Sequence, residues 1–270
     1  MRFLTDTHCH LNLNIFQENL AEFLDRAWEV GVERILVPGI DMETSRQAVA
    51  LAEQHANLFA AVGVHPGDAS TWNNDSFVML KELAQHPKTL AIGEIGLDYY
   101  RDRSPRPLQR KVFRKQLDLA AELDLPVVLH NRDSLDDLWS ELSSWHTELV
   151  QSGSPLASRP GVLHSYDGTI STALRAVEHG FFIGISGPVT FKNALERQEV
   201  VTGLPLNSLL IETDAPYLTP HPFRGKWPNE PAFVAHLAEK IARLHEQPVE
   251  AVIQATWENA AQLFDWGANT

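Results

Sequence analysis

The residues best suited to chemistry lie near the start of the chain, in the segment Asp6-Thr7-His8-Cys9-His10, directly after the apolar pair Phe3-Leu4. Successive side chains of an extended segment alternate between two faces, so Asp6, His8 and His10 are expected to point the same way. Neutral imidazole nitrogen is a favoured ligand of zinc and similar cations, so this spacing predicts a divalent metal site. A solvated strand end is the other interpretation, and the remaining histidines and carboxylates bear on the choice.

Eight short apolar runs alternate with longer amphipathic stretches along the chain. The predicted strands span residues 3–5, 34–38, 59–64, 90–94, 127–130, 161–164, 181–185 and 209–212. Helical periodicity follows each strand, as in 20–31 and 112–125, and the tail from 230 to about 264 predicts two further helices. Eight strand–helix pairs indicate an α/β fold, the (β/α)8 or TIM barrel, with residues 1–270 forming a single hydrolase domain. A doubly wound open sheet is the alternative, but no glycine-rich phosphate fingerprint follows the first strand.

Side chains that can bind metals fall at the carboxyl ends of most predicted strands. They are His8 and His10 after the first strand, His65 after the third, Glu94, His130 and His164 ending the fourth, fifth and sixth, and Asp214 after the eighth. The carboxyl ends of barrel strands open at one face, where active sites are built. We therefore expect these residues to converge there, since chance placement of seven such side chains is improbable.

The number of ligands predicts two metal ions. A single tetrahedral catalytic ion needs three protein ligands and a water, whereas the strand ends supply six metal ligands: His8, His10, Glu94, His130, His164 and Asp214. We expect two divalent ions per chain (Mg, Mn or Zn) with Glu94 as the bridging carboxylate. Two ions about 3.5–4 Å apart can clamp the attacking and leaving oxygens of a phosphoester. Asp214 can also accept the proton of the attacking water, so we predict Glu94 and Asp214 as the catalytic pair.

The charge of the chain limits the kind of substrate. The formal net charge is −13, and the sequence contains no block of lysine and arginine residues. Proteins that grip long duplex DNA without sequence preference usually present a basic face. A phosphate substrate must therefore be held locally, which favours DNA ends or small phosphodiesters.

Cysteine content and hydropathy indicate the compartment. The only cysteine, Cys9, excludes an intrachain disulfide and is typical of a reducing cytosol. Strand alternation places it opposite His8 and His10, as a small buried apolar residue. The motif at residue 6 leaves no room for a secretory leader, and no apolar run reaches the 18 or more residues that span a membrane. We predict a cytoplasmic protein with no membrane contact and no obligate protein partner.

Four ordered motifs resemble those of the TatD family of metal-dependent hydrolases. They are Asp6-Thr7-His8-Cys9-His10, Gly63-Val64-His65-Pro66, Gly93-Glu94-Ile95-Gly96-Leu97-Asp98 and Glu212-Thr213-Asp214-Ala215-Pro216-Tyr217-Leu218, with Arg224-Gly225 and Asn229-Glu230-Pro231 further along. The resemblance implies an amidohydrolase-type barrel and a two-metal deoxyribonuclease, often a 3′–5′ exonuclease. It also implies the ligand sets: His8, His10, Glu94 and Asp214 for one metal, and Glu94, His130 and His164 for the other.

Five further residues are expected to support the site. His65 is a candidate for a hydrogen bond to a substrate phosphate, which the family resemblance supports. Arg132 and Arg224 either pair with phosphate oxygens in a bidentate way or form structural ion pairs. Asp98 either orients a metal ligand or caps the helix that follows. Asp6 is predicted to support the site without binding metal directly.

Two other functions remain open. The first is a lactonase, amidase or deaminase of the same barrel superfamily, in which the same site would cleave a different bond. Those relatives commonly bridge their metals with a carboxylated lysine, whereas Glu94 occupies that place here. A metal used only for folding is the other possibility, but structural sites are closed by four ligands and this set has six.

Overall fold

The computed structural model describes residues 3–101 and 103–266, which fall into two compact units. The first unit contains 3–37, 165–178 and 182–266, and the second contains Pro38–His164 and His179–Phe181. Each unit therefore combines strands and helices of the predicted alternation.

Eight strands correspond to the eight predicted ones: β1 Leu4–Asp6, β2 Val32–Pro38, β3 Leu58–Val62, β4 Thr89–Asp98, β5 Val127–Arg132, β6 Gly161–Leu163, β7 Phe182–Ile185 and β8 Leu209–Ile211. In the first unit β1 pairs with β2 and β7 with β8, all in parallel. The Thr7 N–H donates to the Ile211 carbonyl at 3.1 Å, which joins β8 to β1. In the second unit β3, β4, β5 and β6 pair in chain order, again in parallel.

Helices separate the strands. In the described residues they are α1 Asn14–Gln17, α2 Leu20–Glu29, α3 Met42–Gln54, α4 Ser76–Ala84, α5 Arg106–Leu123, α6 Leu135–Ser152, α7 Ile170–Glu178, α8 Leu195–Gly203, α9 Val234–His245 and α10 Val249–Phe264. The predicted helices at 20–31 and 112–125 are present as α2 and α5, and the two predicted tail helices are α9 and α10. Among the residues described, no helix is both long enough and apolar enough to cross a bilayer.

The core follows from continuous apolar runs in the strands. Strands of a parallel sheet are covered by helices on their faces, so both faces favour valine, leucine and isoleucine. In the first unit Leu209, Leu210 and Ile211 are fully buried, and α10 packs against β1 and β8. In the second unit α5 packs against β4 and buries Phe113 and Leu117.

The predicted end of β4 was wrong. We expected the strand to stop at Glu94, but β4 continues to Asp98 and pairs with β5 through Gly96 and His130. Gly96 has φ +144°, and a Cβ there would lie 2.0 Å from the His130 carbonyl oxygen. Glycine is needed for this close approach of two strands. Glu94 therefore lies inside the strand, where the register shifts between Ile92 and Ile95, an irregularity that can redirect a side chain.

Candidate metal centre

The first group of metal-binding side chains lies in the first unit, where β1 and β8 end. The Nε2 atoms of His8 and His10 are 3.2 Å apart. The Asp214 Oδ1 atom lies 3.5 Å from His10 Nε2 and 3.9 Å from His8 Nε2. Both histidines are buried, so these three donor atoms meet in a region sheltered from solvent.

This first group fits a divalent cation. Zinc–nitrogen bonds of about 2.0–2.1 Å and tetrahedral angles separate two ligands by about 3.4 Å. The three measured separations, 3.2, 3.5 and 3.9 Å, lie around that value. Two imidazoles and a carboxylate are also a donor set that zinc and manganese accept. The pairing of His8 with His10 predicted from their spacing is thus present in the structure.

Asp6 does not join the imidazoles but holds the segment that carries Asp214. Its carboxylate accepts the Thr213 N–H at 2.8 Å, the Thr213 hydroxyl at 2.5 Å and the His8 N–H at 3.3 Å. Burial raises the pKa of the Asp6 carboxyl to about 7, although the hydrogen bonds from Thr213 and His8 act against that shift. These contacts agree with the supporting role predicted for Asp6.

Asp214 occupies a left-handed backbone conformation with φ +54°. Aspartate tolerates this region better than most residues, and such conformations concentrate at functional sites. Its N–H donates to the His8 carbonyl at 2.8 Å, and its own carbonyl accepts the Tyr217 N–H at 2.8 Å. The backbone of the loop after β8 is therefore tied directly to that of the His8 segment.

The second group lies in the second unit, around the carboxylate of Glu94. Its Oε1 atom accepts a hydrogen bond at 2.8 Å from His130 Nδ1. The Nε2 atoms of His164 and His65 lie 3.9 and 4.0 Å from the same oxygen. One carboxylate oxygen is thus approached by three imidazole nitrogens, which is again a donor set suited to a divalent cation.

His130 is held between two carboxylates. Its Nε2 atom lies 3.3 Å from Asp98 Oδ2, opposite the bond from Nδ1 to Glu94. Burial lowers the pKa of His130, but the hydrogen bonds to Asp98 and Glu94 outweigh it and raise that pKa to about 9. A cation bound here would therefore have to displace a proton, as metals commonly do at histidine ligands.

Asp98 contacts the proposed ligand His130, but it does not cap the helix that follows, because α5 begins only at Arg106. Its Oδ1 atom accepts the N–H groups of Tyr100 and Arg101 at 3.0 and 2.9 Å, so it shapes the turn after β4. Its other oxygen faces His130. Burial raises the pKa of Asp98, yet these partners outweigh it and bring the pKa to about 2. His65, Asp98 and His130 together form one of the clusters with metal-binding geometry.

The three residues proposed to bind substrate differ in their surroundings. His65 Nδ1 accepts the Gly67 N–H at 3.0 Å, which leaves the proton of a neutral ring on Nε2. The Arg132 guanidinium lies 5.0 Å from the Tyr100 ring centre, and that of Arg224 lies 4.0 Å from the Phe191 ring centre. Both arginines are exposed. Among the described residues Arg224 makes no ion pair, so its charge is held by an aromatic face and not by a carboxylate.

Two buried polar residues that were not predicted stabilise the first group. Glu212 accepts the N–H of Ser165 at 2.5 Å and the Thr7 hydroxyl at 3.4 Å. Asn229 donates from Nδ2 to the carbonyls of Thr213 and Tyr217 at 2.9 and 2.5 Å. Both lie in motifs noted from the sequence, but their partners are distant in the chain and gave no local signal.

Comparison with known proteins identifies relatives over nearly the whole chain. A family model described as TatD related DNase matches residues 5–265. The chain is 43% identical over 261 residues to the uncharacterized metal-dependent hydrolase YabD of Bacillus subtilis strain 168, covering 97% of this chain and 98% of that protein. It is 37% identical over 244 residues to a protein of Enterobacter lignolyticus strain SCF1 named 3′-5′ ssDNA/RNA exonuclease TatD, covering 88% and 90%.

A solved structure shows the same fold. The crystal structure of YjjV, a TatD homologue from Escherichia coli K12, matches with a TM-score of 0.89 and 34% identity, covering 97% of this chain and 98% of that one. The chain thus has the predicted TIM-barrel fold, with eight parallel strands and helices between them. The family model, the relatives and the fold agree, and the chain belongs to the TatD-related DNase family of metal-dependent hydrolases.

Proposed function

We propose that this hydrolase cleaves phosphodiester bonds at the 3′ ends of single-stranded DNA in the cytoplasm, using two divalent ions (Mg, Mn or Zn). The observation that supports this best is the convergence of His8, His10 and Asp214, whose donor atoms lie within 3.9 Å of one another. The relative named as a 3′-5′ exonuclease supports the choice of substrate.

The two donor groups suggest how the ions would be held. His8, His10 and Asp214 would bind one ion, and His130 and His164 the other. Glu94 is the proposed carboxylate ligand of the second group, where His130 donates to its Oε1 atom.

Bound divalent ions would supply Lewis-acid activation of the phosphate and a more acidic water. Asp214 is then suited to accept the proton of the attacking water, because its carboxylate lies beside His8 and His10, where that water would be bound. The hydrogen bonds from the Thr213 segment to Asp6 would keep this carboxylate in place during turnover.

The remaining polar residues would bind the phosphodiester. A neutral His65 with its proton on Nε2 can donate to a phosphate oxygen. Arg132 and Arg224 are exposed guanidinium groups that can form paired hydrogen bonds to phosphate. With a net charge of −13, the chain favours local binding of a strand end over binding along a duplex.

The test is a nuclease assay on metal-free protein reloaded separately with magnesium, manganese or zinc. A 5′-labelled single-stranded oligonucleotide should yield a ladder that shortens from the 3′ end, and a blocked 3′ end should stop it. Metal analysis of the reloaded protein should find two ions per chain. Glu94→Gln and Asp214→Asn should each reduce turnover by about 10²–10⁴-fold, the range of a lost acid–base group.

Matched controls separate the site from general charge effects. Glu53→Gln and Asp25→Asn change exposed carboxylates on α3 and α2 and should leave turnover unchanged. Failure of the wild-type protein to cut DNA with any of the three metals would refute the nuclease proposal. Cleavage of a lactone or amide under the same conditions would then assign the chain to the other hydrolase class.

A further inference from the structure

The loop after β8 presents two large aromatic side chains to solvent beside the first donor group. Tyr217 is 48% exposed and Trp227 is 59% exposed. Their ring centres are 5.9 Å apart at an interplanar angle of 52°. The Tyr217 ring also meets the His10 ring edge-on at 6.2 Å. The aromatic pair therefore lies next to His10, a proposed metal ligand.

We propose that Tyr217 and Trp227 form a stacking site for a nucleobase that flanks the scissile phosphodiester. The inference rests on the proposed nuclease function and identifies where this chain would bind the base of its substrate. Base stacking on exposed aromatic rings is a common way to bind single strands without sequence preference.

Fixed backbone contacts show that this pair is built into the loop. The Tyr217 N–H donates to the Asp214 carbonyl, and the Tyr217 carbonyl accepts from Asn229 Nδ2. On the other side of the loop, the Thr219 hydroxyl donates to the Lys226 carbonyl at 2.7 Å, one residue before Trp227. The Tyr217 ring is thus carried by backbone that is hydrogen-bonded to the proposed ligand Asp214, and the Trp227 ring by backbone next to the Thr219–Lys226 bond, so a base stacked on them would have a defined position relative to Asp214.

The charge around the pair also suits a nucleotide. Lys226 and Arg224 lie in the same loop, and both are exposed. Lys226 Nζ lies 5.0 Å from the Phe233 ring centre, and Arg224 lies over Phe191. Lys226 Nζ also lies 3.6 Å from Glu230 Oε1, so Arg224 is the cation better placed to meet phosphate oxygens, and the loop offers rings for a base and positive charge for its backbone.

The main test compares oligonucleotides that carry a base or an abasic site at the last two 3′ positions. Loss of one stacked base is expected to raise the KM of the wild-type protein by about 5- to 150-fold, with a smaller effect on kcat. Tyr217→Leu and Trp227→Leu should raise KM for the intact strand similarly. In these variants the abasic substrate should bind no worse than the intact one.

The control variant is Leu195→Ala, which removes an exposed apolar side chain at the start of α8. It should retain the wild-type difference between intact and abasic strands. Because Tyr217 and Trp227 are exposed, their replacement by leucine is expected to leave the fold intact, which unfolding curves of each variant would check.

A second measurement does not depend on catalysis. An oligonucleotide with iodouracil at one of its two 3′-terminal positions is irradiated with the protein in chelator, and the crosslinked peptide is identified by mass spectrometry. A crosslink to Tyr217 or Trp227 supports the stacking site even if no DNA is cut, in which case only the nuclease proposal fails. If DNA is cut, an unchanged preference for intact over abasic strands in both variants, with crosslinks elsewhere, would overturn the stacking site alone.

Discussion

Asp6 is the residue whose replacement tests the structure most directly, because its carboxylate is fully buried and bound to Thr213. We consider the variant Asp6→Asn in metal-free protein. The amide keeps the size of the side chain, its oxygen can still accept the two backbone N–H groups, and its NH₂ can donate to the Thr213 hydroxyl oxygen. The substitution therefore removes mainly the ability to become charged.

The expected effect is a change in the pH dependence of stability. The pKa of Asp6 is 3.8 in the reference state and about 7 in the folded protein. Between these values the folded state keeps a proton that the unfolded state has lost, so this group lowers the free energy of unfolding as pH rises. From about pH 5 to about pH 8 this loss amounts to roughly 2–3 kcal/mol. The variant Asp6→Asn has no carboxyl group at this position, so this loss of unfolding free energy is absent from it.

The measurement is urea unfolding of the wild type and Asp6→Asn in chelator across that pH range. The difference in unfolding free energy between variant and wild type should shift in favour of the variant by about 2–3 kcal/mol, whatever its value at the acidic end. Other titrating groups, including His130, are present in both proteins and cancel in the difference.

Asp25→Asn provides the matched control, since Asp25 is an exposed aspartate on α2. Its unfolding free energy, measured in the same way, gives the baseline for replacing an exposed aspartate. Parallel curves for the wild type and Asp6→Asn would refute the reasoning, because they would mean that the Asp6 carboxyl is no harder to ionise in the folded protein than in the unfolded one.

Three further predictions concern other parts of the chain. Gly96→Ala should lower the free energy of unfolding by about 3 kcal/mol or more, because its Cβ would lie 2.0 Å from the His130 carbonyl oxygen at φ +144°. Gly153→Ala, whose Cβ would meet nothing within 4 Å at φ +69°, should cost only about 1 kcal/mol in the same urea titration. Asn229→Ala should lose about 2–3 kcal/mol and at least about tenfold in turnover, because buried carbonyls of Thr213 and Tyr217 lose their donor. Unfolding curves and nuclease rates, measured together, check both effects, and a variant with wild-type values would contradict the positioning role.

Much of the fold followed from local sequence, for a physical reason. Strands buried on both faces need continuous apolar runs, and helices at the surface need a period of 3.6, so both leave a pattern within one element. Candidate metal ligands at strand ends could also be recognised from the sequence, because polar residues such as His8, His10 and Asp214 lie close to apolar runs. That is why the proposed metal ligands of each unit could be named together with the strands that carry them.

The errors and omissions arose where contacts between distant residues decide the structure. The extension of β4 beyond Glu94 depends on its pairing with β5, through Gly96 and His130. Thr213 is 207 residues from Asp6, and Ser165 is 47 residues from Glu212. No periodicity within one element reports such a bond, so the supporting network became clear only in three dimensions.

The contacts around Thr213 explain how the chain itself positions the segments that carry the first donor group. Its N–H is held by Asp6 and its carbonyl by Asn229, so neighbouring peptide units on both sides are fixed. Peptide units are planar and leave only two soft torsions per residue. Fixing the peptide units on both sides of Thr213 therefore largely determines the position of the Asp214 backbone. The Asp214 N–H then donates to the His8 carbonyl, which ties the two ligand-bearing segments together through the backbone. The relative position of the backbone segments that carry His8 and Asp214 therefore follows from hydrogen bonds within the chain.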